Sequence, residues 1–399
     1  MTDILAENMK PDDICPRPSE ALPGSEATRP LATPITLSTV WQCGDPAQAD
    51  ALLGADRGAY VYSRDRHPNA DALAEKCRIL HAADRVTVTA SGMAAMALAL
   101  VSQCQAGDHV VLSNRLYGKS AVLLGSEAGR LGIRSTVVDT SDLAACAVAI
   151  LPATKLIAVE TISNPTLRVA DIAGLAELVH RSGAKLLVDN TFASPAICRP
   201  LELGADLVME SLTKIMNGHS DALLGMLCGR KEIWQRVPQV SSAWGFMAAP
   251  FESWLVERGL GTLHLRIERA CDNAARAAGF LSQQRGVKSV DYPGLPSHPD
   301  HALATKQFGS RFGNMVTFTL EGDTAAATKF IRGAKRIPFC PSLGEICTTL
   351  SHPESTSHRL MTTGERAALG IEGGTIRLSV GIESPEFVLD SLSEGLNGV

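Results

Sequence analysis

The chain has 399 residues, 45% hydrophobic and 20% charged, a balance that suits a globular protein and excludes disordered, collagen-like and coiled-coil classes. Its length favours two packed domains, and a net charge of −5 supplies no basic field for a nucleic-acid backbone. Ten cysteines with no CxxC pair suggest reduced thiols rather than a disulfide framework or a zinc site.

The first 30 residues are polar and Pro-rich without a charged region leading to an apolar core, and no apolar run is long enough to span a bilayer. A cytoplasmic protein is expected. Residues 1–59 mix turn formers with short β-prone pieces such as Ile35–Val40 and are expected as an arm that cannot build a core alone. Helical spacing then runs from Asn69 to Ala82, followed by a strand at Arg85–Thr89 and a small-residue helix from Ser91 to Val101. The alternation repeats, with strands expected at His109–Leu112, Ser135–Val138, Leu156–Val159, Lys185–Val188 and Asp206–Met209, and a helix from Asp171 to Ser182. Buried strands alternating with helices predict an α/β domain with a parallel sheet, covered on both faces, over residues 60–255. Long helical spacing from Phe251 to Gln284 leads to a Pro/Gly-rich stretch at Tyr292–Pro299. Residues 256–399 are expected as a smaller α+β domain, with strands at Met315–Leu320 and Thr375–Val380 and helices at Ala325–Gly333, His358–Leu369 and Pro385–Leu396.

Ligands of open α/β sheets sit at the carboxyl ends of the strands. Three such places carry notable polar groups. Ala90-Ser91-Gly92-Met93 is a strand-to-helix turn whose free N–H groups suit an anion, although a serine that simply caps a helix beside a close-packed glycine would read the same. Asp189 ends the apolar run Leu186-Leu-Val and needs a partner if buried. A protonated ring nitrogen is one, and a cap on the next turn is the other. Lys214 follows the next strand directly, between the hydroxyls of Ser211 and Thr213 and the run Gly218-His219-Ser220-Asp221. A lysine among apolar neighbours is one whose proton desolvation can remove, as an imine-forming amine requires. His219 has no second histidine at ligand spacing, so no metal is expected.

These loops, in this order, resemble the trans-sulfuration enzymes of cysteine and methionine metabolism: cystathionine γ-synthase, cystathionine β- and γ-lyases, methionine γ-lyase and the O-acylhomoserine sulfhydrylases. The resemblance runs from Thr28-Arg-Pro-Leu-Ala-Thr-Pro-Ile35 to Gly381-Ile-Glu383, and its most specific piece is Ser211-x-Thr-Lys214-x-x-x-Gly-His-Ser-Asp221. It implies a pyridoxal 5′-phosphate enzyme with an aminotransferase-like (fold type I) large domain, a carbon–sulfur lyase or transferase working as a homo-oligomer, expected as a homotetramer built as a dimer of dimers. By the same resemblance Lys214 carries the cofactor and moves protons, and Asp189 faces the pyridine nitrogen. Gly92, Met93, Ser211 and Thr213 cradle the phosphate. Tyr62 and Arg64 reach it from a neighbouring subunit, which the 1–59 arm also contacts. Tyr117 stacks on the ring and serves as acid or base, Asn164 lies near the 3′ oxygen, and Arg377 pairs with the substrate α-carboxylate with Ser342 in the adjoining loop.

Departures from the family pattern concern substrate. The run after Tyr117 reads Gly118-Lys119-Ser120-Ala121-Val122, placing Lys119 where it would face an anionic end of the substrate. The loop usual as Ser-Leu-Gly-Gly-Val-Glu-Ser reads Ser342-Leu-Gly-Glu345-Ile-Cys347-Thr348. The expected chemistry is γ-elimination or γ-replacement on homoserine-derived or sulfur amino acids. Cystathionine β-lyase and O-acylhomoserine sulfhydrylase are the alternatives within the family. A catalytically silent scaffold is disfavoured by the presence of Lys214, Asp189, Tyr117 and Arg377 together.

Overall fold

The computed structural model describes residues 10–17, 30–54 and 58–398. Residues 1–9, 18–29 and 55–57 of the expected arm, among them Thr28 and Arg29 at the head of the family-like run, lie outside the described residues.

Seven strands form the large sheet: β1 (Arg85–Thr89), β2 (His109–Ser113), β3 (Arg134–Val138), β4 (Thr154–Glu160), β5 (Lys185–Asp189), β6 (Leu207–Glu210) and β7 (Gly225–Gly229). Their order is β1-β7-β6-β5-β4-β2-β3. All neighbours pair in parallel except β7, which runs antiparallel to both β1 and β6. The sheet is therefore mostly rather than wholly parallel. Strand β7 escapes sequence reading because Gly-Met-Leu-Cys-Gly begins and ends with residues that normally break strands.

Helices cover both faces, so each central strand alternates between two interiors. Ile157, Val159, Leu186 and Val188 enter one apolar cluster, while Leu156, Ala158 and Leu187 enter the other. All seven are 1% exposed or less. At about 1.5–3 kcal/mol for each fully buried aliphatic side chain, this two-sided burial fixes strand register and with it the position of every strand end.

The smaller sheet holds β8 (Val287–Asp291), β9 (Met315–Leu320), β10 (Thr349–Ser351) and β11 (Thr375–Ser379), in the order β10-β11-β9-β8 and antiparallel throughout. The helix Leu263–Leu281 belongs to both interiors. Leu263, Ile267 and Cys271 pack under the large sheet, and Ala274, Ala277, Ala278 and Leu281 pack under the small one.

The β-prone piece Ile35–Val40 contributes one bridge, Val40 to Tyr62. One expectation needs correction. The helix expected over His358–Leu369 is confined to Thr363–Ala368, because Thr362 and Glu365 form a reciprocal capping box that starts it there. Within the segment before 59, Ile14 and Cys15 are buried in the core beneath the large sheet. Leu31, Leu37, Val40 and Leu53 of the same segment are exposed. Among the described residues, no helix is long and apolar enough to cross a membrane.

Candidate active site

Strands β4, β5 and β6 end on three carboxyl groups, Glu160, Asp189 and Glu210. The Asp189 carboxylate accepts the Thr191 N–H at 3.0 Å, and burial pushes its pKa up to about 6 against that bond. Glu160 spends both oxygens, accepting the Tyr117 N–H at 2.5 Å and the Asn164 N–H at 3.2 Å. Burial, then the neighbouring Asp189, holds the proton affinity of Glu160 well above the usual carboxylate range. Glu210 is fully buried, accepts from Asn190 Nδ2 at 2.8 Å and lies 3.5 Å from His81 Nε2. Burial lowers the pKa of His81 to about 3, so the imidazole is neutral.

Just past β6 the chain turns to present Lys214, whose carbonyl accepts the Gly218 N–H at 2.8 Å. The turn is pinned from below by the buried guanidinium of Arg266, which donates to the carbonyls of Ile215, Met216 and Gly259 at 2.7, 3.0 and 2.9 Å. A side chain at Gly218 would collide with that guanidinium at 2.1 Å, and its φ of +78° also favours glycine. The Gly-His-Ser-Asp run thus begins with a glycine for a packing reason. His219 points its Nδ1 at the Asn217 carbonyl, 2.7 Å away. Burial pulls the proton affinity of Lys214 down, opposed by Glu345 and assisted by Arg377.

The small sheet supplies the facing wall. Arg377, in the middle of β11, is 4% exposed and reaches across to donate to Asn164 Oδ1 at 2.7 Å and to the Ser342 carbonyl at 3.0 Å. Its Nε is buried without a partner. Ser342 also accepts from Lys214 Nζ at 2.9 Å through its hydroxyl. One serine therefore touches both the amine and the guanidinium.

An anion cradle lies on the other side of the lysine turn. Ser91 caps the helix Gly92–Gln103 by accepting the Ala94 N–H at 3.1 Å, which leaves the N–H groups of Gly92 and Met93 without intrahelical partners. Gly92 packs so closely on Ser211 that an added Cβ would lie 2.9 Å from the serine Cβ. Of the two expected hydroxyl donors, Ser211 sits at this cradle. Thr213 has its single hydroxyl proton committed to the Leu224 carbonyl at 3.1 Å while accepting the Leu224 N–H at 3.0 Å.

Lys214, Asp189, Asn164, Arg377, Ser342, Ser211, Gly92 and Met93 thus gather at one end of the large sheet. Tyr117 joins through its backbone bond to Glu160, the residue as a whole being 39% exposed. Tyr62 and Arg64 stand apart, both exposed, with the guanidinium 4.9 Å from the ring centroid of Tyr62. Lys119 is exposed at the start of the short helix Gly118–Val122. Sequence reading assigned no role to Glu160, Glu210 or Glu345. The signal for the first two was their place at strand ends beside Asp189, visible only once the register of β4 and β6 is fixed.

A family model for Cys/Met metabolism PLP-dependent enzymes matches residues 21–397. The chain belongs to this family. It is 36% identical over 372 residues to the L-methionine gamma-lyase of Porphyromonas gingivalis, covering 92% of this chain and 93% of that one. It is 38% identical over 350 residues to the O-succinylhomoserine sulfhydrylase of Pseudomonas aeruginosa, covering 88% and 87%. The crystal structure of cystathionine gamma synthase from Xanthomonas oryzae pv. oryzae, in complex with aminoacrylate and cysteine, superposes with a TM-score of 0.91 at 34% identity over 98% of this chain and 100% of that one. The protein is accordingly a pyridoxal-phosphate-dependent enzyme with the fold of the trans-sulfuration enzymes.

The residues of this pyridoxal enzyme fit the cofactor. A partly buried amine with weakened proton affinity suits a carbonyl, a helix N-terminus with the N–H groups of Gly92 and Met93 free suits a phosphate, and a half-buried carboxyl with no cationic partner suits a pyridinium.

Proposed function

We propose that this enzyme breaks, and with a thiol present replaces, a carbon–heteroatom bond at Cγ of a homoserine-derived or sulfur amino acid. One observation carries the reading: Ser342 joins Lys214 to Arg377, so the amine suited to moving substrate protons stands beside the cation suited to an α-carboxylate. Bound pyridoxal phosphate supplies a carbonyl for the substrate amine and a ring that accepts the electrons left by a departing proton. Everything else falls to the chain. The planar fork of Arg377 orients the α-carboxylate, with Asn164 fixing its tilt. That orientation turns Cα toward Lys214, which takes the Cα proton and then one from Cβ, as release at Cγ requires. The Tyr117 phenol passes a proton to the leaving group. Asp189 supplies the negative charge that keeps the pyridine nitrogen protonated. Gly92, Met93 and Ser211 hold the phosphate, and Thr213 supports the turn through Leu224.

The relatives support Cγ by name, being a methionine gamma-lyase, an O-succinylhomoserine sulfhydrylase and a cystathionine gamma synthase. The exposed Tyr62–Arg64 pair supports a site completed by a second copy within a homo-oligomer, proposed as a dimer of dimers. All ten cysteines are free thiols, which suits a reducing cytoplasm.

The test is a product assay by mass spectrometry with cystathionine, methionine and acylated or phosphorylated homoserine, each with and without cysteine or sulfide. Cleavage at Cγ turns cystathionine into cysteine and 2-oxobutanoate. Homocysteine and pyruvate instead would assign a β-lyase and overturn the reading.

A further inference from the structure

Thr161 and Asn190 stand one place beyond strands β4 and β5, and Glu210 closes β6. All three are fully buried. The Asn190 amide joins them. Its Oδ1 accepts from Thr161 Oγ1 at 2.7 Å, and its Nδ2 donates to Glu210 Oε1 at 2.8 Å and to the Cys198 carbonyl at 3.0 Å. Both amide hydrogens of Asn190 are thereby used.

Glu210 is the member that the fold holds least comfortably. Among the described residues its Oε2 is buried without a hydrogen-bond partner, and His81, whose Nε2 lies 3.5 Å from Oε1, makes no hydrogen bond to it. An apolar side chain of similar size would avoid that desolvation. What the carboxyl contributes in return is one bond, to Asn190.

The place of that bond gives it a consequence. Asn190 follows Asp189, and Glu210 precedes Ser211. The bond therefore ties the neighbour of a residue suited to a ring nitrogen to the neighbour of one suited to a phosphate. A second bond runs alongside, from the Ser211 N–H to Thr191 Oγ1 at 2.9 Å, and Thr191 donates its own N–H to Asp189 at 3.0 Å. The Lys214 N–H is fixed to the Ser211 carbonyl at 3.1 Å, so the lysine follows wherever Ser211 is set. Ring nitrogen, phosphate and carbonyl belong to one rigid cofactor, and their three contacts must be spaced correctly at once.

We propose that Glu210 is a positioning residue for the cofactor: through Asn190 it sets the distance between Asp189 and Ser211, and so matches the site to the length of pyridoxal phosphate. Fully buried, it acts through Asn190 rather than on the cofactor itself. The proposal rests on the reading of Asp189 and Ser211 as contacts of the ring nitrogen and the phosphate.

The experiment compares two dissociation constants on each apoenzyme by tryptophan fluorescence. Pyridoxal phosphate must meet both contacts, whereas inorganic phosphate meets only the cradle. Glu210→Met removes the acceptor for Asn190 at similar length. It should weaken pyridoxal phosphate about 10-fold or more, because binding must restore a spacing that is no longer preset, and change inorganic phosphate by less than about 2-fold. Glu210→Gln keeps an acceptor oxygen for Asn190 and should bind pyridoxal phosphate within about 3-fold of the parent. If Glu210→Met does not fold, Thr161→Val, which releases Asn190 Oδ1 from the other side, should separate the two ligands in the same way. Unchanged affinity for pyridoxal phosphate, or a glutamine variant as weak as the methionine one, would overturn the proposal. So would equal weakening of both ligands, since a merely structural role loosens the cradle as a whole. Asp189→Asn and Ser211→Ala show which reading has failed. If both leave pyridoxal phosphate binding intact, the cofactor assignments fall and the spacing role with them; if they weaken it while Glu210→Met does not, the assignments stand and only the spacing role falls.

Discussion

Glu160 and Asp189 are register partners at the carboxyl ends of adjacent parallel strands, which sets two half-buried or buried carboxyl groups side by side. Two like charges in such a place cannot both be cheap to ionise. Asp189, raised to about 6, is the one that must ionise to serve a ring nitrogen.

Asp189 has its folded pKa raised above the unfolded value near 3.9, so its contribution to stability is fully present below about pH 4 and is lost as pH rises through about 6. Asp189→Asn, a neutral copy, should match the parent apoenzyme at pH 4 and exceed it by roughly 1–3 kcal/mol above pH 6.5 in denaturant unfolding. Bound cofactor should shrink that difference. A constant difference across pH would show that the carboxyl ionises freely.

Glu160→Gln replaces one acceptor by a donor facing a backbone N–H, so the lost tether on Tyr117 or Asn164 should cost about 1–3 kcal/mol of stability in denaturant unfolding. Because burial raises the pKa of Asp189, the pH dependence of apoenzyme stability ascribed above to Asp189 should persist in this variant. Its disappearance would show that Glu160, and not burial, sets that shift.

Reduction of the holoenzyme with borohydride should leave the cofactor mass on the peptide containing Lys214 and on no other. Lys214→Ala should lose both that adduct and turnover. An adduct on another lysine would displace Lys214 from its role.

Arg64→Ala and Lys214→Ala proteins, each inactive, should regain activity when mixed under conditions of verified subunit exchange, because a hybrid holds one intact site assembled from two chains. Continued inactivity would place Tyr62 and Arg64 outside the site.

Lys119 is a compact point charge on an exposed helix start, beside Tyr117. Lys119→Met should weaken transition-state binding of substrates with an anionic distal group by about 1.5–3 kcal/mol and leave methionine nearly unaffected, judged by kcat/KM. Equal losses on both would assign the lysine to the fold.

The site was legible in the sequence where it follows a strand: Asp189 closes the apolar strand β5, and Lys214 lies in the turn just past β6. Gly218 and Gly92 were legible as motif members, but the reasons for them, the Arg266 guanidinium and the Ser211 side chain, lie at sequence distances no local pattern spans. The same holds for Arg377 and Asn164, 213 residues apart and hydrogen-bonded at 2.7 Å. Thr213 was legible as a motif member, but its bonds to the backbone of Leu224, the residue before strand β7, were not, because Gly-Met-Leu-Cys-Gly does not read as a strand.

The Ser342–Thr348 loop is anchored by buried Leu343, by the hydroxyls of Ser342 and Thr348 and by its backbone, but at 345 and 347 by backbone neighbours alone. The Gly344 N–H donates to Ser379, the Ile346 N–H to Gly218, and the Thr348 N–H to Glu383, while the Ile346 carbonyl receives the Ile382 N–H. Side chains at 345 and 347 can therefore be exchanged without redirecting the chain, much as a lock takes a new set of pins in an unchanged barrel. Lys214 and Asp189 enjoy no such freedom, since their places are set by strands buried on both faces. Substrate preference in this enzyme is consequently the property that a few substitutions can alter, and a library restricted to positions 345 and 347 is the shortest route to a variant with a new preference and an undisturbed cofactor.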